Sequence, residues 1–212
     1  MDESAPADPL PPSFATGLMG GPPLRINVVG TSGSGKTTFA AALAERLGHR
    51  HVELDELNWG PNWSEAAPAE FRARVRRALA GDGWVLDGNY RAVRDLIWPR
   101  ADTLVWLDYS RTVVTWRIVT RSISRLVRRT EMWAGNRETL RKLLSRDSIV
   151  WWSVSTYARR RREYPALIAA HPQLDVVRLR SPAAAERWLR SLPQAAASAA
   201  TTPDARASAQ KP

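Results

Sequence analysis

The segment of residues 30–37 constrains the fold of this chain more than any other feature of its sequence. It reads Gly-Thr-Ser-Gly-Ser-Gly-Lys-Thr and matches the pattern G-x-x-x-x-G-K-[ST] at every fixed position. A short β-branched run, residues 24–29, precedes it, and apolar residues at helical spacing follow it at Phe39, Leu43 and Leu47. A strand, a glycine-rich turn and a helix in this order predict a phosphate-binding loop, because backbone N–H groups and the helix N-terminus can surround an anion.

The predicted loop also indicates which side chains meet the ligand. Lys36 can reach the β- and γ-phosphates of a nucleoside triphosphate, and the Thr37 hydroxyl can hold Mg²⁺. We therefore predict ATP and Mg²⁺ as cofactors and Lys36 as a catalytic residue. The residues expected to bind the cofactor are Gly30, Thr31, Ser32, Gly33, Ser34, Gly35, Lys36, Thr37 and Thr38.

Apolar runs alternate with helical patterns along the rest of the chain. Beyond the first strand, further strands are predicted at residues 51–54, 84–86, 104–107 and 174–179. Such alternation is typical of a parallel sheet with helices on both faces. The sequence predicts an α/β, three-layer phosphate-loop fold with a five-stranded parallel sheet and a helical, arginine-rich lid at about residues 112–170.

Composition places the folded part at residues 24–192. Residues 1–23 hold six prolines and three glycines, which favours a disordered leader, and the alanine-rich residues 193–212 favour a flexible tail. The absence of cysteine excludes disulfides and Cys-ligated zinc. No run approaches the roughly 18 apolar residues that span a bilayer, and the acidic start is unlike a signal peptide. We expect a cytoplasmic protein with no membrane partner.

Two predicted strands end in an aspartate that could hold a Mg²⁺-bound water. The third strand runs into Asp87-Gly88-Asn89-Tyr90-Arg91, and the fourth ends at Asp108. Gly88 would leave room for a substrate beside the backbone. Asp108 could instead cap the following helix, which is a common use of aspartate.

These motifs resemble those of the adenylate kinase-like kinases. The third strand of that family continues into Asp-Gly-Phe-Pro-Arg, and Asp87, Gly88 and Arg91 stand at the matching positions. The run Arg117-Ile118-Val119-Thr120-Arg121 is similar to the Arg-Ile-Val-x-Arg run at the base of the family's lid. The resemblance implies that Asp87, rather than Asp108, lies near the metal and that Arg91 contacts the acceptor's phosphate. It also implies that Arg117 and Arg121 contact the donor nucleotide.

Over residues 26–192 the chain resembles a bacterial group known as "topology modulation" proteins, which are adenylate kinase-like phosphate-loop proteins. The shared features are the phosphate loop, residues 54–59, residues 87–90, residues 102–108 and a lid rich in tryptophan and arginine.

The acceptor side of the site is predicted from Asp55 and Trp59. In strand geometry Glu53 and Asp55 would point to the same face. Asp55 is similar to the acid that shikimate and gluconate kinases place near the acceptor hydroxyl, where it could accept a proton or bind a sugar hydroxyl. A helix N-cap is an equal alternative. Trp59 could stack on a base or a sugar face, or anchor a small helix pair. The acceptor stays open among a nucleotide, a nucleoside and an alcohol.

The positive charge of the chain is concentrated in one third of it. The net charge is +10, while residues 91–162 alone carry 17 Lys and Arg against 6 Asp and Glu. Arginines recur at helical spacing and would face an anion: Arg117, Arg121, Arg125 and Arg128 or Arg129. An apolar stripe lies opposite them: Val119, Ile123, and Leu126 or Val127. His49, His51 and His171 show no metal-ligand spacing and receive no role.

The sequence therefore predicts an ATP-binding, Mg²⁺-dependent phosphotransferase with a small acceptor as its second ligand. Lys36, Asp55, Arg117 and Arg121 are the predicted catalytic residues, and Thr37 and Asp87 the predicted metal ligands. The alternative is a nucleic-acid-binding protein or a nucleotide-gated regulatory ATPase, which the basic segment suggests. Nucleic acid is the less favoured partner, since no known nucleic-acid-binding motif accompanies the arginines.

Overall fold

A computed structural model describes residues 11–18, 21, 23–128 and 149–194 of the chain. Its five strands are β1 (Arg25–Gly30), β2 (Arg50–Glu53), β3 (Trp84–Asp87), β4 (Thr103–Leu107) and β5 (Asp175–Leu179). All neighbouring strands run parallel, in the order β2-β3-β1-β4-β5. The predicted α/β fold with a five-stranded parallel sheet is confirmed, and the predicted strands begin and end close to the observed ones.

Helices connect the strands and cover both faces of the sheet. They are α1 (Pro12–Leu18), α2 (Lys36–Leu47), α3 (Leu54–Asn58), α4 (Pro68–Ala78), α5 (Arg94–Ile97), α6 (Arg111–Arg128), α7 (Ile149–Ala169) and α8 (Pro182–Ser191). Two 3₁₀ turns, Pro61–Trp63 and Arg91–Val93, precede α4 and α5.

Alternate residues of the central strands β1, β3 and β4 enter separate cores on the two faces. In β4, Val105 and Leu107 pack with residues of α2, α6 and α8, whereas Leu104 and Trp106 pack with residues of α4, α5 and α7. Every residue of β4 is buried. Burial on both sides is the reason why the strands of a parallel sheet read as continuous apolar runs.

The first described helix contradicts part of the predicted leader. Phe14 of α1 is fully buried, and its ring meets Trp188 edge-on at 5.2 Å between centroids. Trp188 in turn stacks on Phe39 at 6.1 Å. The prediction of disorder is therefore wrong for residues 12–18, because one aromatic anchor docks a segment whose composition alone favours disorder. Residues 1–10 and the predicted tail from residue 195 onward lie outside the described residues.

The predicted lid falls on the two longest helices. Of the residues predicted to form the lid, those in α6 and α7 are described by the structure. Residues 129–148, between these two helices, lie outside the described part of the chain. Among the helices that the structure describes, none combines the length and the apolar character that a bilayer span needs.

Candidate active site

The predicted phosphate-binding loop joins the end of β1 to the start of α2. Ser34 donates its backbone N–H to the Thr31 carbonyl at 3.0 Å, and Gly35 precedes α2 with a φ of 85°. In the part of the chain that the structure describes, no side chain caps the N-terminus of α2. Lys36 donates to the Thr31 carbonyl at 3.4 Å, which is a long hydrogen bond. The loop thus has the turn and the uncapped helix N-terminus that its sequence predicts.

The hydroxyl side chains of Ser34, in the loop, and Thr38, just after it, differ in exposure. Ser34 is 1% exposed, and its hydroxyl has no hydrogen-bond partner among the described residues. Thr38, the third residue of α2, is exposed. A buried hydroxyl without a partner costs free energy, about 1–3 kcal/mol for a neutral group.

The N-terminal half of α6 packs directly on the loop. A side chain at Gly33, which has a φ of 82°, would overlap Ile118 and come within 3.0 Å of the Val114 carbonyl. Arg117 donates to the Ser34 carbonyl at 3.2 Å, and its guanidinium lies 5.7 Å from the ring centroid of Tyr109. Glycine at position 33 is therefore what allows α6 to bring Arg117 to the loop.

The two faces of α6 differ from the predicted stripes. Val114 and Ile118 form its buried side, whereas Val119 is 36% exposed and Trp116 is 70% exposed. Val119, which belongs to the apolar stripe read from the sequence, is therefore not on the buried side of α6, because the face that packs on the loop is rotated toward Ile118. Arg121 is half-buried one turn after Arg117. Arg129 and the side chains of Arg125 and Arg128 lie outside the described residues.

Asp87 meets the loop at the end of β3. The Thr37 hydroxyl donates to Asp87 Oδ1 at 3.1 Å, and Asp87 is 4% exposed. On the other carboxylate oxygen, Oδ2, Asp87 contacts His51 Nε2 at 2.8 Å. The two predicted metal ligands are therefore neighbours, and they meet because α2 packs on β2 and β3.

Asp108 makes two ion pairs that the sequence did not predict. Its buried carboxylate pairs with Arg161 of α7 at 2.9 Å and with Arg178 of β5 at 2.6 Å. Among its described contacts these two guanidinium groups take both oxygens, so Asp108 does not cap α6. The helix-cap interpretation is therefore wrong. The sequence did not reveal the two partners because both are more than 50 residues away from Asp108.

Asp55 lies in a helix rather than at a strand end. β2 ends at Glu53, and Asp55 belongs to the first turn of α3, so the expectation that Glu53 and Asp55 share a strand face is wrong. Asp55 is not an N-cap either, since Glu53 precedes the helix. Instead, the Tyr90 hydroxyl donates to Asp55 Oδ1 at 2.6 Å. Burial first, and then the negative charge of Asp55, raise the pKa of Tyr90 far above its usual value.

Asn89 ties the end of β3 to the phosphate loop. Gly30 donates its N–H to Asn89 Oδ1 at 3.1 Å, and Asn89 donates its own amide to the Gly30 carbonyl. Tyr164 of α7 also donates to Asn89 Oδ1, at 3.2 Å. The two positions at which the chain departs from Asp-Gly-Phe-Pro-Arg, Asn89 and Tyr90, therefore both make specific contacts within the site.

The remaining predicted acceptor residues have less defined surroundings. A side chain at Gly88, which has a φ of 137°, would come within 2.7 Å of Leu54. Leu54 thus fills the space that a side chain at Gly88 would take, and the role of Gly88 in substrate binding stays a prediction. Arg91 is exposed on the following 3₁₀ turn. Trp59 is half-buried and meets Trp63 edge-on at 5.8 Å, as an anchor would.

Sequence reasoning missed the contribution of His51. Ligand atoms of His51, Glu53 and Asp87 all lie within 4.8 Å of one another. The sequence offers only the i, i+2 spacing of His51 and Glu53 on one strand face; Asp87 joins them through the observed register of β2 with β3, in which Glu53 is the partner of Asp87. The hydrogen bond with Asp87 raises the pKa of His51. The other two histidines are structural: Leu24 donates its N–H to His49, and His171 packs edge-on against Trp98.

Comparisons with curated proteins give only partial matches. No protein-family model matches the chain. It is 39% identical over 71 residues to "Putative adenylate kinase" of Thermococcus onnurineus (strain NA1), which is 30% of this chain and 39% of that protein. It is 27% identical over 84 residues to "Uncharacterized protein YqaC" of Bacillus subtilis (strain 168), which is 39% of this chain and 47% of that protein. The chain thus spans less than half the length of these curated relatives.

Among solved structures, the chain is similar to a shikimate kinase from Bacteroides thetaiotaomicron. The match covers 79% of this chain and 94% of that one, at 15% identity and a TM-score of 0.48. This TM-score is too low to assign a fold, so the fold is assigned from the observed strand order. The resemblance to the "topology modulation" group stays a prediction from the motifs.

Proposed function

We propose that this chain is an ATP-dependent, Mg²⁺-requiring phosphotransferase of the adenylate kinase-like type that acts on a small acceptor. The observation that carries the proposal is the 3.1 Å hydrogen bond between Thr37 and Asp87. It joins a loop of phosphate-binding sequence to a buried carboxylate. Hydroxyl and carboxylate oxygens are ligands that Mg²⁺ accepts, usually together with several waters, so the two side chains fit the ion. When bound, Mg²⁺ would neutralise charge on the β- and γ-phosphates.

In this proposal the loop and α6 bind the donor nucleotide. The backbone N–H groups of residues 30–37 and the uncapped start of α2 bind the phosphates. Lys36 exchanges its long contact with the Thr31 carbonyl for the β- and γ-phosphates. Arg117 already lies at the loop, and Arg121 follows it one turn later, so both can stabilise the charge of the transferred phosphoryl group.

In the same proposal the acceptor binds beside Asp55. Tyr90 holds Asp55 Oδ1, which leaves the second carboxylate oxygen to accept a proton from an attacking hydroxyl. Arg91 is the exposed cation nearest in sequence to this arrangement, and it would bind a phosphate if the acceptor carries one. Trp59 would line the same side.

The experiment is transfer of labelled γ-phosphate from ATP to a panel of nucleotides, nucleosides and small alcohols, followed by kinetics on the acceptor found. If the acceptor is an alcohol, Asp55→Asn should mainly lower kcat, because it removes a proton acceptor and keeps the shape. If the acceptor is a nucleotide, Arg91→Ala should mainly raise its KM. A panel with no labelled product would refute the proposal.

The basic segment supports the alternative of nucleic-acid binding, and a salt titration tests it. Part of that charge is already engaged inside the protein, since Arg161 pairs with the buried Asp108. A protein that neutralises several DNA phosphates loses orders of magnitude in affinity between 50 and 200 mM salt. A steep salt dependence together with absent phosphoryl transfer would favour the alternative.

A further inference from the structure

A histidine and two carboxylates converge at the sheet edge beside the phosphate loop. We propose that His51, Glu53 and Asp87 form a binding site for a first-row divalent transition ion, which they hold without any nucleotide. Their ligand atoms lie within 4.8 Å of one another. This site goes beyond the proposed function, which needs only oxygen ligands from Thr37 and Asp87.

The backbone fixes the relative positions of the three side chains. His51 and Glu53 are two residues apart on β2 and therefore point to the same face of the sheet. Glu53 is the register partner of Asp87 on the neighbouring strand β3. Three ligands held by two paired strands lose little conformational freedom when an ion binds, which favours binding.

Asp87 divides its two oxygens between two partners. Oδ1 accepts the hydrogen bond of Thr37 at 3.1 Å, while Oδ2 lies 2.8 Å from His51 Nε2. An ion at Oδ2 takes the place of the proton shared with His51 and leaves the Thr37 contact intact. Asp87 is buried, whereas His51 and Glu53 are half-buried, so an ion can reach the site from solvent.

The imidazole sets the class of ion. Mg²⁺ prefers oxygen ligands and gives up its waters reluctantly, whereas imidazole nitrogen is a good ligand for transition ions. A site of one imidazole and two carboxylates therefore discriminates against Mg²⁺. In the absence of an ion, the hydrogen bond between His51 Nε2 and Asp87 Oδ2 holds two of the three ligand atoms beside each other.

The test is a titration of the full chain with Mn²⁺ in nucleotide-free buffer, followed by electron paramagnetic resonance. We expect the wild-type protein to bind Mn²⁺, equimolar Mg²⁺ to leave that binding unchanged, and Zn²⁺ to displace it. Pulsed measurements should show nitrogen modulation from a coordinated imidazole. That signature needs no variant, so it decides the proposal even if a substitution at His51 impairs folding.

Variants make the test residue-specific. Mutating a residue that hydrogen-bonds to a metal ligand costs about 10- to 100-fold in metal affinity. Because His51 and Glu53 are proposed as ligands themselves, His51→Gln and Glu53→Gln should each weaken Mn²⁺ binding by at least about tenfold. His171→Gln is the matched control, because His171 packs against Trp98 and bonds to the Leu167 carbonyl. Its affinity for Mn²⁺ should equal that of the wild type.

The outcomes separate this site from the proposed function. No binding of Mn²⁺ without nucleotide, no nitrogen modulation, or equal affinity in a folded His51→Gln protein would each overturn the metal site. Mn²⁺ binding by a chain that transfers no phosphate would keep the metal site and refute the phosphotransferase proposal. Phosphate transfer by a chain that binds no Mn²⁺ would refute the metal site and keep the phosphotransferase proposal.

Discussion

The Tyr90 hydroxyl donates a 2.6 Å hydrogen bond to Asp55 Oδ1, which joins helix α3 after β2 to the segment that follows β3. The ring of Tyr90 packs edge-on against Phe71 at 5.1 Å, which holds the hydroxyl in place. Because the pKa of Tyr90 is raised far above its usual value, the hydroxyl stays protonated and remains a donor at physiological pH. Tyr90 is thus a positioning residue for the predicted acceptor-side carboxylate.

The first prediction concerns this contact. Tyr90→Phe removes a hydrogen bond to a charged group, which is worth about 1.5–3 kcal/mol, so we expect kcat to fall about tenfold or more with little change in the KM for ATP. In an Asp55→Asn background the same substitution should have almost no further effect. Steady-state kinetics of the four proteins measure this coupling.

The control for Tyr90 is Tyr157→Phe, since that hydroxyl donates to the Tyr109 carbonyl at 3.0 Å and contacts no acceptor-side residue that the structure describes. A fall in kcat of equal size in both Asp55 backgrounds would mean that Tyr90 acts on stability alone.

The second prediction separates the two strand-end aspartates. Asp87→Asn should lower ATP turnover, and added Mg²⁺ should partly restore it, because Asp87 is the proposed metal ligand beside Thr37. Asp108→Asn should instead lower the free energy of unfolding by about 1–3 kcal/mol, since it leaves two arginines without their buried charged partner. Turnover assays and urea unfolding measure both effects.

A matched control for Asp108 is the exposed pair of Asp95 and Arg72. Ion pairs exposed to solvent contribute little to stability because water and salt screen them, so Asp95→Asn should change the unfolding midpoint little. If Asp108→Asn abolished turnover in a fully stable protein, the metal would have to be assigned to β4.

The third prediction concerns α1. Phe14→Ala empties a fully buried aromatic site against Trp188 and should reduce the free energy of unfolding by about 3–5 kcal/mol. Trp116→Ala removes a side chain that is 70% exposed and should change it by less than about 0.5 kcal/mol. Chemical denaturation followed by circular dichroism gives both values. Equal stabilities would show that α1 does not dock in solution.

The sequence predicts the sheet because local patterns determine it. The phosphate-binding loop, the strands and α2 all follow from residues near one another in the chain, such as the apolar run before Gly30. The placement of Asp87 beside Thr37 also follows, since parallel strands end at one edge of the sheet.

The contacts that complete the site depend on pairs far apart in sequence. His51 meets Asp87 only because β2 pairs with β3 in one register, and a shift by one residue would turn His51 to the other face. Asp108 looks like a helix cap until the partners from α7 and β5 are in place. These pairings are set by packing between elements, which a local pattern does not contain.

The most direct test of the central claim is acceptor-dependent formation of ADP by the wild-type chain and by Lys36→Ala. Lys36 lies at the loop surface rather than in either core, so the variant should fold normally, which circular dichroism can verify. Loss of one charge-stabilising group typically costs about 10²–10³ in rate, and we predict a loss at least that large with Mg²⁺ and ATP present. A folded Lys36→Ala protein that forms ADP at the wild-type rate would contradict the account.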